Sequence, residues 1–242
     1  MHLSETTWSA AADADTDLAL LPVGSTEQHG PHAPLGTDGI TAEAVAETAS
    51  QQYDGEVVVA PTIPVGVAEE HRDFAGTLWV SEDTFRAYVR ETVASLAAHG
   101  WTRVVVVNGH GGNTGPLREV CGRITRHDDA YAVPFTWFEA IDADDMGHGG
   151  PVETSAISHL RPDLVDEDRL DEAAEGAADS WGEWVGGVNL AYDTAEFTDS
   201  GVVGDPRDYS HERGEELIAA AGDRLAALLD GIQERDSDPR SE

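Results

Sequence analysis

Four short apolar runs alternate along this chain with longer stretches whose apolar residues recur at helical spacing, and that order limits the folds open to it. Strands separated by helices do not pair as tight hairpins; each crosses over and returns parallel, giving a sheet covered by helices. The runs lie at residues 17–23, 56–60, 103–107 and 130–135. Helices are expected over about 41–52, 82–99, 116–127 and 211–233, with Ser81 as an N-cap and Gly100 just past a helix end. Residues 166–179 read as a solvated helix or a loop, anchored by Trp181 and Trp184. No internal repeat or long linker divides the chain. The expected fold is therefore α/β: a single three-layer domain over 1–235, a mostly parallel sheet with helices on both faces. A disordered acidic tail is expected at 236–242.

The 47 Asp plus Glu face only 14 basic residues, all arginine, and the formal net charge is −33. A chain without lysine has no basic stripe for phosphates, so nucleic acid is not expected as a partner. At this charge self-repulsion loosens a fold in dilute buffer, whereas near 1 M salt the Debye length falls to about 3 Å and screens it. The expected setting is the cytoplasm of a salt-accumulating organism. Cys121 is the single cysteine, which excludes an internal disulfide. No basic-then-apolar leader is present, and no apolar run approaches the ~20 residues that span a bilayer, so no membrane partner is expected.

In open α/β sheets ligands sit beyond the carboxyl ends of the strands. Polar clusters follow three of the runs. The first holds Glu27 and His29, then Asp38; the next holds His110 among glycines; the last holds His148 and Glu153. Mixed carboxylate and imidazole sets suit Zn²⁺, Mn²⁺ or Fe²⁺ better than Ca²⁺ or Mg²⁺. Glu27 and His29 are two apart, so an extended backbone projects both from one face. Asp38 is the natural bridge between two ions. Each piece also has an ordinary role: a solvated Glu-x-His pair, a turn histidine, an N-cap at Asp38, a dipole partner at Glu153. Convergence of three strand ends is what favours a site. Other motifs fail: a P-loop needs lysine, no Gly-x-Ser-x-Gly elbow occurs, and Thr114 stands where a dinucleotide fingerprint has its third glycine. Cys121 falls inside an expected helix and reads as core.

The segments Pro-Val-Gly-Ser-Thr-Glu-Gln-His-Gly (22–30), Asn-Gly-His-Gly-Gly-Asn (108–113) and His-Gly-Gly-Pro-Val-Glu-Thr-Ser (148–155) resemble the creatininase family. Softer matches lie at 70–77 and 201–206. The resemblance implies two divalent ions per subunit (Fe²⁺, Zn²⁺ or Mn²⁺), hydrolysis of a non-peptide C–N bond by water activated between them, a small-molecule substrate and a homo-oligomer. Carried over residue by residue, Glu27 and His110 fall on one metal and His29 on the other, with Asp38 bridging. His148 matches a catalytic histidine, with Glu153 beside it as a second proton carrier or as its orienting partner. A substrate phosphate would need a positive charge, and Arg72, in the loop after the second run, is its expected partner, with His71 and Asn113 as further expected substrate contacts.

Creatinine-cleaving members are similar but carry a glutamate at the position of Gly112, another before the catalytic histidine where Gly147 stands here, and enclosing tryptophans absent between Phe138 and His148. The Gly-His-Gly-Gly-Asn form looks more like the archaeal branch that deformylates 2-amino-5-formylamino-6-ribosylaminopyrimidinone 5'-monophosphate in riboflavin and deazaflavin synthesis, and that deformylation is the expected reaction. Creatinine hydrolysis, and a third branch that clips a peptide-derived precursor, are the alternatives. A non-catalytic metal or ligand binder is the reading from a different class, since Gly112 leaves a second metal short of a ligand. Glu153, or water and substrate, would have to fill that gap.

Overall fold

The structure is a computed structural model and describes residues 1–235; the tail expected at 236–242 lies outside the described residues. In chain order the elements are α1 (Trp8–Ala12), β1 (Leu18–Val23), α2 (Thr37–Gln52), β2 (Val58–Val59), α3 (Glu82–Ala98), β3 (Arg103–Asn108), α4 (Thr114–His127), β4 (Tyr131–Thr136), α5 (Pro151–Leu160), α6 (Leu170–Glu175), β5 (Trp184–Val185), β6 (Val188–Asn189) and α7 (His211–Gln233).

β1 to β4 form one parallel sheet in the order β2-β1-β3-β4. Alternate residues of the central strands serve opposite layers, as the two-residue period of a strand requires. Ala19, Leu21, Val104 and Val106 pack with Phe85, Val89 and Val93 of α3 and with Leu117, Val120 and Ile124 of α4. Leu18, Leu20, Val105 and Val107 pack with Val45 and Ala49 of α2, Ala156 of α5, and Leu217 and Leu225 of α7. Each buried valine or leucine contributes on the order of 1.5–3 kcal/mol, and burial on both faces explains why these strands read as continuous apolar runs.

The strand order places the site. From β1 the chain moves outward to β2, then returns past β1 to lay down β3 on its other side. The crevice of such a sheet opens where the order reverses, between β1 and β3. Val23 pairs in register with Asn108, so the segments beginning at Gly24 and Gly109 leave the sheet side by side.

Several boundaries differ from expectation. β2 is two residues long, not five. α2 begins at Thr37, four residues early, so Asp38 sits in the first helical turn, where the helix dipole favours a carboxylate. α4 begins at Thr114, with Pro116 in its first turn, where the missing N–H costs nothing. Ser81 does cap α3, its hydroxyl accepting from the Thr84 N–H at 3.3 Å, and Gly100 follows the helix at φ +100°. Within 166–179 only α6 is α-helical, and β5 and β6 pair as an antiparallel hairpin turned at Gly186 and Gly187. Trp184 is exposed there, its indole N–H donating to the Trp181 carbonyl at 2.6 Å, whereas Trp181 packs edge-on against His71, His148 and Phe197. Among the described residues no helix is long and apolar enough to cross a membrane.

Candidate metal centre

Close backbone approach comes first. A Cβ on Gly24 would lie 2.4 Å from the Gly39 nitrogen, so the start of α2 lies directly against the end of β1. Beyond β3, the Asn108 side chain donates to the His110 carbonyl at 2.8 Å and accepts from the His110 N–H at 3.1 Å. That pair turns the glycine-flanked loop back and aims the His110 ring at α2.

Four expected ligands meet there. His110 Nδ1 is 3.1 Å from Glu27 Oε1 and 3.3 Å from Asp38 Oδ2, and His29 Nε2 is 3.1 Å from Asp38 Oδ1. Asp38 thus presents one oxygen to each imidazole. Glu153 Oε1 lies 3.7 Å from His29 Nε2, while its other oxygen accepts from the Gly149 N–H at 2.6 Å. His71 Nε2 and His148 Nδ1 stand 3.4 and 3.9 Å from Glu27 Oε1. All of these residues are buried.

The donor set fits divalent ions. Both Glu27 carboxylate oxygens, His29 Nε2 and Asp38 Oδ2 are buried without a hydrogen-bond partner. An unsatisfied buried polar atom costs about 1–3 kcal/mol, more when charged, and a cation among these atoms would satisfy them together. Three overlapping sets have ligand atoms within 4.8 Å of one another: Glu27, Asp38 and His110; His29, His148 and Glu153; Glu27, His71 and His148. Gly112 has no room for the glutamate of creatinine-cleaving relatives, because a Cβ there would lie 2.2 Å from the Val67 carbonyl oxygen and 2.6 Å from His110 Nε2. Glu153 offers a carboxylate from α5 instead.

Electrostatics separate the histidines into two kinds. Burial opposes a charge on His29 and His110, but Asp38 and Glu153 beside His29, and Glu27 and Asp38 beside His110, hold both well above the ordinary imidazole range. Burial lifts the Glu27 carboxyl to about 7 against the pull of His110. It would lift Asp38 as well, but His29 and His110 hold that group below the usual carboxylate range. By contrast burial, reinforced by His29, pushes His148 down to about 4, and burial beside His148 lowers His71. His148 Nε2 lies 2.7 Å from the Gln28 carbonyl oxygen and donates to it, so the lone pair of Nδ1 faces the site.

Two expected substrate contacts lie elsewhere. Arg72 is paired with Asp193 Oδ2 at 2.5 Å, with its side chain half exposed, and does not line the cavity. Its planar head is drawn to the nearest carboxylate of the 193–196 turn. Asn113 is a backbone clamp: its amide accepts from the Val67 N–H and donates to the Gly24 carbonyl, both at 3.0 Å. His71 does reach the cavity.

The cavity, about 400 Å³, is lined by His110, His148, Glu153, Glu70, Phe138 and Trp181 among others, and among the described residues no arginine lines it. Glu70 and Trp181 were not singled out as site residues by sequence, and neither was Gln28, whose amide nitrogen lies 2.9 Å from His71 Nδ1 and from the Gly201 carbonyl. Gly201, at φ +82°, leaves the space that amide fills, since a Cβ there would lie 1.9 Å from Gln28 Oε1. The Gly201 turn was the one sequence sign of this packing. Cys121 is buried, its thiol pushed up to about 12 by burial, and is core as expected.

The family model described as creatininase, creatinine amidohydrolase, matches residues 4–229. A mycofactocin precursor peptide peptidase from Mycolicibacterium smegmatis is 37% identical over 214 residues, 84% of this chain and 80% of that one. A creatinine amidohydrolase from Pseudomonas putida is 28% identical over 200 residues, 70% of this chain and 75% of its own. A solved creatininase in its manganese form superposes with a TM-score of 0.80 at 25% identity, covering 97% of this chain and 99% of that one.

Proposed function

Because the chain belongs to the creatininase family, we propose that its buried carboxylate–imidazole cluster is a dinuclear hydrolytic centre acting on an unphosphorylated, peptide-derived amide. That it is a hydrolase of C–N bonds follows from the family and from its hydrolase relatives. The observation that carries the two-ion reading is Asp38, whose two oxygens face His29 and His110 separately.

Glu27, Asp38 and His110 would hold one ion; His29, Glu153 and the second oxygen of Asp38 would hold the other, Fe²⁺, Zn²⁺ or Mn²⁺ in each case. When bound, such a pair supplies an activated water and an electrophile for the amide carbonyl. His148 is neutral at physiological pH, since its pKa is pushed to about 4, and its Nδ1 lone pair faces the site. It takes the proton released as water adds to the carbonyl carbon, then passes it from Nδ1 to the leaving nitrogen as the C–N bond breaks. Gln28 keeps the ring in that tautomer through its own carbonyl. The products are a carboxylate and an amine.

The substrate reading rests on the peptidase relative and on the absence of a phosphate partner. Formylaminopyrimidine nucleotide deformylation, favoured by the Gly-His-Gly-Gly-Asn form, needs a cation for the 5'-phosphate. Among the described residues no arginine lines the cavity, and Arg72 is engaged by Asp193. The test is to offer metal-loaded protein the nucleotide, creatinine and a precursor peptide, and to measure formate, creatine and released fragments. Peptide cleavage is the expected result. Formate release would restore the deformylase, and tight metal without turnover of any substrate would mark a binder.

A further inference from the structure

One acidic side chain on the cavity wall has no task in this scheme. Glu70 lies in the 3-10 turn Glu69–His71, lines the cavity, and has a side chain only 24% exposed. Its Oε1 stands 4.0 Å from His110 Nε2, beyond hydrogen-bond reach, and that nitrogen is already bound to the Val67 carbonyl at 2.6 Å. Glu70 therefore does not orient His110. It belongs to none of the clusters whose ligand atoms converge. Among the described residues no other side chain donates a hydrogen bond to its carboxylate. Its neighbour Glu69 is well exposed, and Arg72 turns to Asp193.

The cation near this largely buried carboxylate is His110, 4.0 Å away and shared more closely with Glu27 and Asp38. Burial raises the Glu70 pKa against the pull of that imidazole, which leaves the charge poorly compensated. Gly112 keeps the group reachable: a Cβ at that position would sit 3.0 Å from Glu70 Oε1 and close off this side of the cavity. The wall around it adds the aromatic rings of Trp181 and Phe138, surfaces that attract a cation. We propose that Glu70 is the subsite for a protonated amine of the substrate, so that the enzyme selects amides carrying an ammonium group. The inference rests on the hydrolytic reading of the metal cluster, which brings the amide to the same cavity.

Hydroxamates chelate such metals without being turned over, and they separate the two ideas. Binding of 3-aminopropanoyl, 4-aminobutanoyl and 5-aminopentanoyl hydroxamates to manganese-loaded protein is measured by calorimetry at fixed salt, each against its methyl-terminated twin. At one chain length or more the amine form is expected to bind about ten-fold tighter, the worth of one charge-assisted hydrogen bond. Glu70→Gln should bring the ratio to about one with the metal content per chain retained. Glu69→Gln, which removes the same charge from the acidic field nearby, should keep it. Equal affinities within every pair, or a preference that survives Glu70→Gln, would overturn the proposal. If no hydroxamate of either kind bound the loaded protein, the hydrolytic reading itself would fail, and the amine subsite with it.

Discussion

Gly109 backs directly onto Asp38: a Cβ at position 109 would lie 2.1 Å from the Asp38 carbonyl oxygen. The start of α2 is seated against the end of β3 only because that side chain is missing. Gly109→Ala should therefore push Asp38 away from His110, at a cost of about 1–3 kcal/mol for overpacking. Elemental analysis is expected to show less metal per chain and calorimetry a lower melting temperature. Undiminished metal in this variant would mean that Asp38 is not held by this contact.

Asp38→Asn tests the bridge without moving the backbone. The amide keeps the size but loses the charge that faces His29 and His110. Losing even a supporting group costs a metal site about 10–100-fold in affinity, and a shared ligand should cost at least that for both ions. Metal content and hydrolysis should fall together. Full activity in a metal-replete variant would remove Asp38 from the centre.

The parts of this site that were legible beforehand are those that directly follow apolar strands. Glu27, His29 and His110 follow the apolar runs that read as strands; the β1–β3 register that sets their segments side by side is seen only in the structure. Asp38 was legible as a residue, though not as part of a helix, because a turn of Gly-Thr-Asp-Gly has poor helix propensity and is held by packing. Glu70 comes from 62–80, Trp181 from 165–200 and Gln28 from the interior of a motif. The two long segments carry no period, and their partners are set by contacts between distant loops. Arg72 misled for a related reason: charge and sequence position do not reveal that Asp193, 121 residues later, takes the guanidinium.

Gly112 and Glu153 make opposite predictions. Restoring a glutamate at 112 puts a Cβ 2.2 Å from the Val67 carbonyl, so Gly112→Glu should destabilise the loop and should not increase the metal bound. Glu153→Gln, which leaves the fold intact, should lose one ion of two, because its carboxylate stands with His29 on that side. Metal titration distinguishes the outcomes. A Gly112→Glu protein with tighter metal would refute the exchange of ligand positions.

A charge of −33 predicts a strong salt response. Screening of carboxylate repulsion should raise the melting temperature steadily from dilute buffer to about 1 M KCl, where the Debye length is about 3 Å. Differential scanning fluorimetry across that range checks it, and a flat response would argue against a salt-adapted surface.

His32 supplies a pH test at a side chain that borders the proposed ligands without belonging to the set. Its Nε2 lies 2.9 Å from Thr154 Oγ1, its Nδ1 is buried without a partner, and burial together with His29 pushes its pKa down to about 4. The unfolded chain takes up a proton at this side chain near pH 6.5, the ordinary imidazole value, which the folded chain refuses until about pH 4. Stability from this group is present above pH 6.5 and lost on acidification through that window. Metal-free wild type should lose up to about 3 kcal/mol relative to His32→Gln between pH 6.5 and 4, measured by urea melts at each pH. His29 and His110 act in the opposite sense, giving full stabilisation below pH 6.5 that fades as pH rises through their raised values. Both are common to the two proteins and cancel in the difference to first order. A pH-independent difference would show that His32 is readily protonated in the folded chain, and that the space around its Nδ1 admits water.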